Sequence, residues 1–225
     1  MFLNVLRFRY GDPTGFVNAL IVLVLVTFVL PAQPAAAQKV KILALGDSLS
    51  AGYGLMRADS FPNRLQEALV GKGINAAVIN AGVSGDTSAG GLSRLDWALS
   101  EGVDGVIVEL GANDGLRGLE PGETLKNLDA ILAKLKQKKL AILLTGMQAP
   151  PNLGGGYGRE FAAIYPAVAK KHDVRLYPFF LEGVAAIPEL NQEDTIHPNS
   201  EGVKVVVERI LPYVIEMVQI IEKKK

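Results

Sequence analysis

The sequence predicts an α/β fold in which a parallel five-stranded sheet lies between two layers of helices, a three-layer α/β/α arrangement. Two observations predict it. Short, nearly continuous apolar runs alternate with longer helical patterns along the chain. The runs lack the apolar–polar alternation of half-exposed strands, as expected for strands covered on both faces. This β-α-β-α order is typical of a parallel sheet covered by helices.

The elements follow one another in strict alternation. The predicted strands are residues 40–45, 76–80, 105–110, 141–145 and 174–177. The predicted helices are residues 62–70, 88–100, 122–137, 159–171 and 200–221. Pro62 and Pro121 lie near helix starts, where proline is tolerated, and Gly71 lies near a helix end. Pro212 falls inside the last helix, and we expect it to kink that helix.

The first 37 residues have the order of a secretory signal peptide. Arg7 and Arg9 precede the apolar run 19–30, and small residues that include Ala35 and Ala37 follow it. The run has 12 residues, fewer than the roughly 20 that a membrane-spanning helix needs. We therefore predict cleavage after Ala37, an exported domain over residues 38–225 and a periplasmic location. An uncleaved inner-membrane anchor is the alternative.

Composition excludes several kinds of chemistry. The formal net charge is zero and no basic stripe stands out, which argues against a nucleic-acid partner. The chain has no cysteine, so a thiol nucleophile, a disulfide framework and cysteine-based metal sites are excluded. It has two histidines, His172 and His197. His172 ends a lysine-rich helical pattern and is expected to face solvent.

Polar segments follow the predicted strands at one edge of the sheet. In open parallel sheets, ligands bind outside the carboxyl ends of the strands. The segments found there are residues 46–54, 80–87, 109–115 and, after the last strand, 194–199. If the sheet prediction is right, all of them face a single crevice.

These segments contain the groups that serine hydrolysis needs. Ser48 offers a hydroxyl at a strand-to-loop junction, and Gly82 offers a backbone N–H that a substrate can approach closely. Asn113 adds a side-chain donor for an oxyanion. Asp194 and His197 are three residues apart, so one tight turn can place an acid beside a base. Each group alone is also typical of an ordinary turn, and the prediction depends on their combination and order.

Four blocks of sequence resemble those of the SGNH (GDSL-type) hydrolase family. They read GDSLSAGYG, NAGVSGDTSAGGLSRL, VIVELGANDGLRG and DTIHPNSEG. The resemblance covers essentially the whole domain and is closest to the exported bacterial thioesterase I, lysophospholipase and arylesterase branch. It implies a flavodoxin-like α/β/α fold and hydrolysis of esters or thioesters without metal or cofactor.

The resemblance also implies a role for each matched residue. Ser48 is the expected nucleophile and also gives a backbone N–H to the oxyanion hole. Gly82 and Asn113 are the expected second and third oxyanion donors. His197 is the expected base, and Asp194 is the acid that orients it.

Three further residues are predicted to contact the acyl group. Ala149 begins a long, glycine-rich loop that, in this branch, borders the acyl site. Leu116 and Ile196 lie next to the catalytic segments in the sequence. An ordinary surface loop and ordinary packing are the alternatives for these positions.

The candidate residues and this resemblance together predict a monomeric serine esterase that acts on small-molecule or lipid esters; the resemblance implies acyl thioesters and lysophospholipids among its substrates. Its membrane contacts are expected only through the N-terminal segment or a lipid substrate. One alternative is a carbohydrate or cell-wall O-acetyl esterase with the same triad. Another is a non-catalytic anion-binding module that uses residues 46–48, which leaves Asn113 and the Asp194/His197 pair unexplained. A metal site at Asp86, Asp194 and His197 is a poor donor set for a transition metal.

Overall fold

The computed structural model describes residues 39–224, so the predicted signal peptide lies outside the described residues. The described chain forms one five-stranded sheet with every neighbouring pair parallel. Its strands are β1 Val40–Gly46, β2 Ala76–Gly82, β3 Gly105–Glu109, β4 Ala141–Thr145 and β5 Arg175–Tyr177. No helix within this part of the chain is long and apolar enough to cross a membrane.

Helices connect the strands and cover both faces of the sheet. They are α1 Ser48–Ala51, α2 Phe61–Gly71, α3 Ser88–Ser93, α4 Leu95–Ala98, α5 Ala112–Leu116, α6 Pro121–Gln137, α7 Gly155–His172 and α8 Ser200–Glu222. Helix α2 packs against α8, whereas α6 packs against α3 and α7. The predicted three-layer α/β/α fold is therefore confirmed.

The strand order β2-β1-β3-β4-β5 determines where a crevice opens in the sheet. The chain moves from β1 to β2 on one side and then returns to β3 on the other side of β1. The direction of winding thus reverses beside β1. Such a reversal opens a crevice at the carboxyl ends of the strands, where open α/β sheets bind ligands.

The two edge strands differ from the expectation that every strand is buried on both faces. All residues of β3 and β4 are buried, but most residues of β2 and β5 are at least partly exposed. Each edge strand pairs with one neighbour only. Their apolar runs therefore indicated strands correctly but overestimated how deeply those strands lie.

The predicted helix 88–100 is divided into α3 and α4, and the division falls at Arg94. The Arg94 side chain forms an ion pair with Asp86 and donates to the Gly46 carbonyl at 2.9 Å. Arg94 thereby links the end of β1 to the segment after β2. Helix α8, by contrast, continues through Pro212 to Glu222 and is not ended there.

Candidate active site

Ser48 is the first residue of α1, which follows β1 after a single intervening residue. That residue, Asp47, caps α1, because its carboxylate accepts the Leu49 N–H at 3.0 Å. As the first residue of a helix, Ser48 has a backbone N–H without an intrahelical acceptor. Gly46 permits the close approach of α1 to the sheet, since a Cβ there would lie 2.2 Å from Ser50 Oγ. Ser48 therefore presents both a hydroxyl and a free N–H at the edge of the sheet.

The turn after β5 places His197 opposite Ser48. Asp194 Oδ1 accepts the N–H groups of Ile196 and His197, each at 2.9 Å, and thereby closes a tight turn. Asp194 Oδ2 lies 2.6 Å from His197 Nδ1, and His197 Nε2 lies 2.9 Å from Ser48 Oγ. The three side chains thus form a continuous series of hydrogen bonds from carboxylate to hydroxyl.

Asp194 is held as a carboxylate. Burial alone would raise its pKa, but hydrogen bonds from the N–H and ring of His197 and from the N–H of Ile196 favour the charged form. Together they lower the pKa of Asp194 to about 2. An ionised Asp194 accepts a hydrogen bond from Nδ1–H, which leaves Nε2 free to accept the hydroxyl proton of Ser48.

Asn113, predicted as an oxyanion donor, lies at the start of α5 beside the turn that carries Ser48. Its amide nitrogen donates to Asp47 Oδ2 at 3.1 Å and to the Asp86 carbonyl at 2.9 Å. The side chain therefore joins the segments that follow β1 and β2. To donate to an oxyanion, the amide must give up one of these two hydrogen bonds.

Gly82, the other predicted donor, has its N–H engaged within the protein. That N–H donates to Asn80 Oδ1 at 2.9 Å. A Cβ at position 82 would lie 2.2 Å from the backbone nitrogen of Ala51, so this glycine lets β2 pack against α1. In the resting structure, Gly82 therefore has a packing role.

Gly85, three residues later, has the properties that were expected of Gly82. It adopts a φ of 85° in the turn that the Asp86 N–H closes on the Val83 carbonyl. Within residues 39–224, its own N–H donates no hydrogen bond. The adjacent Asp86 carbonyl contacts the Asn113 amide, which places Gly85 beside the site. The Ser-Gly-Asp turn sequence is a signal for this residue, whereas Gly82 is the last residue of β2.

Two fully buried carboxyl groups, Asp47 and Glu109, lie beside the Ser48 turn, and sequence reasoning missed both. Glu109 Oε2 accepts the Ser50 hydroxyl at 2.7 Å and the Asp47 N–H at 3.2 Å. Glu109 Oε1 has no partner among the described residues. Burial, together with the charge of Asp47, raises the pKa of Glu109 well above its ordinary value. Burial also raises the pKa of Asp47 to about 6, despite hydrogen bonds from Leu49 and Asn113.

A cavity of about 640 Å³ opens beside the Ser48 hydroxyl. Its polar end contains Ser48, Asn113 and His197. The three residues predicted to contact an acyl group all line it, together with further apolar side chains: Leu116, Ala149, Ile196, Met147, Phe179 and Leu181. The cavity therefore leads from the polar groups into largely apolar surroundings.

His172, the other histidine, and Asp86, from the alternative metal site, are each paired with another side chain. His172 Nε2 lies 2.7 Å from Asp129, and the side chain is only 13% exposed, so the expectation that it faces solvent is wrong. Asp86 is paired with Arg94. Across residues 39–224, no group of three or more metal-binding side chains comes together.

Comparisons with known proteins identify the family of the chain. The sequence model of the GDSL-like Lipase/Acylhydrolase family matches residues 44–205. The esterase TesA of Pseudomonas aeruginosa is 42% identical over 185 residues, which cover 82% of this chain and 91% of that protein. The thioesterase 1/protease 1/lysophospholipase L1 of Escherichia coli K12 is 44% identical, with 80% and 83% covered.

Solved structures give the same result. The crystal structure of TesA superimposes with a TM-score of 0.76 at 40% identity, covering 79% of this chain and 99% of that one. AlinE4, an SGNH-hydrolase family esterase, gives 0.68 at 51% identity, with 80% and 96% covered. The chain therefore belongs to the GDSL-like lipase/acylhydrolase family of SGNH hydrolases and is a carboxylic ester hydrolase.

Proposed function

We propose that the protein hydrolyses esters through a Ser48–His197–Asp194 triad. One observation carries this proposal: the hydrogen bonds of 2.9 Å and 2.6 Å that connect the hydroxyl, the imidazole and the carboxylate. That arrangement gives Ser48 a base within reach and gives the base an orienting acid.

In the first half of the reaction, Ser48 Oγ attacks the acyl carbonyl carbon while His197 Nε2 takes the hydroxyl proton. The carbonyl oxygen becomes an oxyanion, and Asp194 stabilises the imidazolium that has formed. Backbone and side-chain donors fixed around the oxyanion lower the barrier, because they need no reorganisation as the charge develops.

For these donors we propose the N–H of Ser48, the amide of Asn113 and the N–H of Gly85, in place of the predicted Gly82. The N–H of Gly85 is unoccupied, whereas that of Gly82 already donates to Asn80. Amide NMR spectra of the enzyme carrying a phosphonate on Ser48 test this choice. The Gly85 amide proton is expected to shift strongly downfield, and a large shift at Gly82 with none at Gly85 would reverse the assignment.

In the second half, the imidazolium of His197 protonates the leaving alcohol or thiol as its bond to the acyl carbon breaks. Ser48 then carries the acyl group. A water molecule, deprotonated by His197, attacks this acyl-enzyme, and the acid leaves as Ser48 regains its proton.

The cavity supports a substrate with a medium or long acyl chain. Each methylene of an acyl chain that is buried against its apolar lining contributes roughly 0.8 kcal/mol to binding. We therefore propose acyl esters, acyl thioesters and lysophospholipids as substrates. A carbohydrate or cell-wall O-acetyl esterase would leave most of the cavity unfilled. Rates on p-nitrophenyl acetate and octanoate separate the two proposals, since a preference for acetate would favour the second.

Location and assembly remain part of the proposal. We propose that residues 1–37 direct export to the periplasm and are removed after Ala37, and that the mature enzyme is a monomer without a nucleic-acid partner. The signal-like order of residues 1–37 supports export. N-terminal sequencing of the protein from the periplasmic fraction should give Gln38 as its first residue. A full-length, membrane-bound product would contradict cleavage.

The decisive test of the triad is the Ser48→Ala variant together with a fluorophosphonate probe. The wild-type protein should be labelled at Ser48 and should lose its activity as labelling proceeds. Ser48→Ala should be folded, unlabelled and inactive. Substantial esterase activity in this variant would refute the proposal.

A further inference from the structure

Tyr53 lies against the outer face of the His197 imidazole. It follows Gly52, the C-terminal cap of α1, and its N–H donates to the Ser48 carbonyl at 3.1 Å. The two ring centroids are 4.6 Å apart, and the ring planes are inclined by 37°. The His197 side chain is only 17% exposed, whereas Tyr53 is 53% exposed. The phenol ring therefore forms part of the cover between the imidazole and solvent.

Gln192 fixes the backbone of Tyr53 to the loop that carries His197. Its side-chain amide donates to the carbonyls of Tyr53, at 2.8 Å, and of Pro198, at 3.0 Å. Its backbone N–H donates to the His197 carbonyl at 2.8 Å. Tyr53 is thus tied on one side to the nucleophile helix and on the other to the base. This double attachment fixes the backbone that carries the ring relative to the imidazole in the free enzyme.

Two carboxyl groups interact with the His197 imidazole. Asp194 contacts Nδ1, and the buried Asp47 carboxyl is close enough to interact with the imidazole electrostatically. The face of an aromatic ring carries negative potential and attracts a cation within about 6 Å. Because the imidazole is neutral at rest and cationic in the transition state, an interaction with the ring face is stronger in the transition state and accelerates the reaction.

We propose that Tyr53 is a positioning residue of the reaction, acting through His197: its ring face holds the imidazole toward Ser48 and stabilises the imidazolium. This inference depends on the proposed triad. Tyr53 needs its aromatic face for this role and does not need its hydroxyl, so phenylalanine should replace it and leucine should not. Leucine keeps an apolar cover over the imidazole but has no π face.

The test compares Tyr53→Phe with Tyr53→Leu in the full-length protein, using the pH dependence of kcat/KM on a p-nitrophenyl ester. In Tyr53→Leu, kcat should fall about two- to fivefold with little change in KM. The acid limb of its profile should move about half a pH unit lower, because the imidazolium is less stable without the ring face. Tyr53→Phe should restore the wild-type profile. Gln192→Ala, which frees the Tyr53 backbone, should move the acid limb in the same direction by less.

Two controls separate the possible failures. Trp97→Leu replaces another exposed aromatic side chain, one that does not line the cavity, and should leave the profile unchanged. Fluorophosphonate labelling of Ser48 tests the triad itself. If Ser48 is labelled but Tyr53→Leu has an unchanged acid limb, or one moved to higher pH, the role of Tyr53 is refuted while the triad stands. If Ser48→Ala remains active, the triad and this inference fall together.

Discussion

His197 Nε2 lies 2.9 Å from Ser48 Oγ, although 149 positions separate the two residues in the chain. Ser48 follows β1, an interior strand of the sheet, and His197 follows β5, an edge strand. Because the strands are parallel, the loops that follow their carboxyl ends lie at the same end of the sheet. This contact therefore depends on the sheet as a whole.

Replacing Asp194 by Asn should reduce kcat strongly with little effect on folding. An amide in this position can donate to Nδ1 and thereby place the ring proton on Nε2, where it cannot accept the hydroxyl proton of Ser48. In serine proteases, the corresponding loss is about 10⁴-fold. Steady-state kinetics at pH 8 measure the effect. A decrease of less than tenfold would mean that Asp194 does not orient the base.

Asn113→Ala should lower kcat about 100- to 1000-fold, the usual effect of removing one oxyanion donor. It should also lower the free energy of unfolding by about 1–3 kcal/mol, because the buried Asp47 carboxyl loses a hydrogen bond. Urea denaturation measures the second effect separately. If kcat fell only in proportion to the fraction of unfolded protein, Asn113 would have a structural role alone.

Glu109→Gln should leave the fold intact and make its stability less dependent on pH. The raised pKa of Glu109 means that its contribution to stability is complete below the ordinary value of 4.5 and is lost as pH rises through the folded-state pKa. A neutral glutamine avoids that loss. Thermal denaturation between pH 4 and pH 9 should show a shallower decline in Tm for the variant than for the wild-type protein.

Glu109→Ala is the matched comparison for that experiment. Removing the carboxyl leaves the Ser50 hydroxyl and the Asp47 N–H without an acceptor and opens a space beside the Ser48 turn. We expect a loss of about 2–5 kcal/mol in the free energy of unfolding. Equal stability of the Gln and Ala variants would show that these hydrogen bonds contribute little.

Ala149→Phe should shorten the acyl chain that the enzyme accepts. Ala149 lines the 640 Å³ cavity, and a phenyl ring there occupies space that a longer chain would use. We expect kcat/KM for an octanoyl ester to fall about tenfold or more, while that for an acetyl ester changes little. Equal losses on both esters would indicate a general disturbance of the site.

Much of this protein could be predicted from its sequence because the signals are local. The apolar runs identified five strands, and the three-residue spacing of Asp194 and His197 predicted a turn that the structure contains. Ser48 was identifiable as a candidate nucleophile because it follows the carboxyl end of a strand in a parallel sheet, where such sheets bind ligands. For these features, neighbouring residues in the chain supply most of the interactions.

Other features were decided by the tertiary structure. The Gly82 N–H is occupied, and that of Gly85 is free within the described residues, because the Asn80 side chain turns back to accept from Gly82. The burial of Glu109 depends on β1 and β4, the strands that flank β3. The contact between Tyr53 and His197 requires loops from β1 and β5 to meet, with Gln192 joining them. Sequence spacing contains no information about such contacts, because their geometry exists only after the whole sheet has assembled.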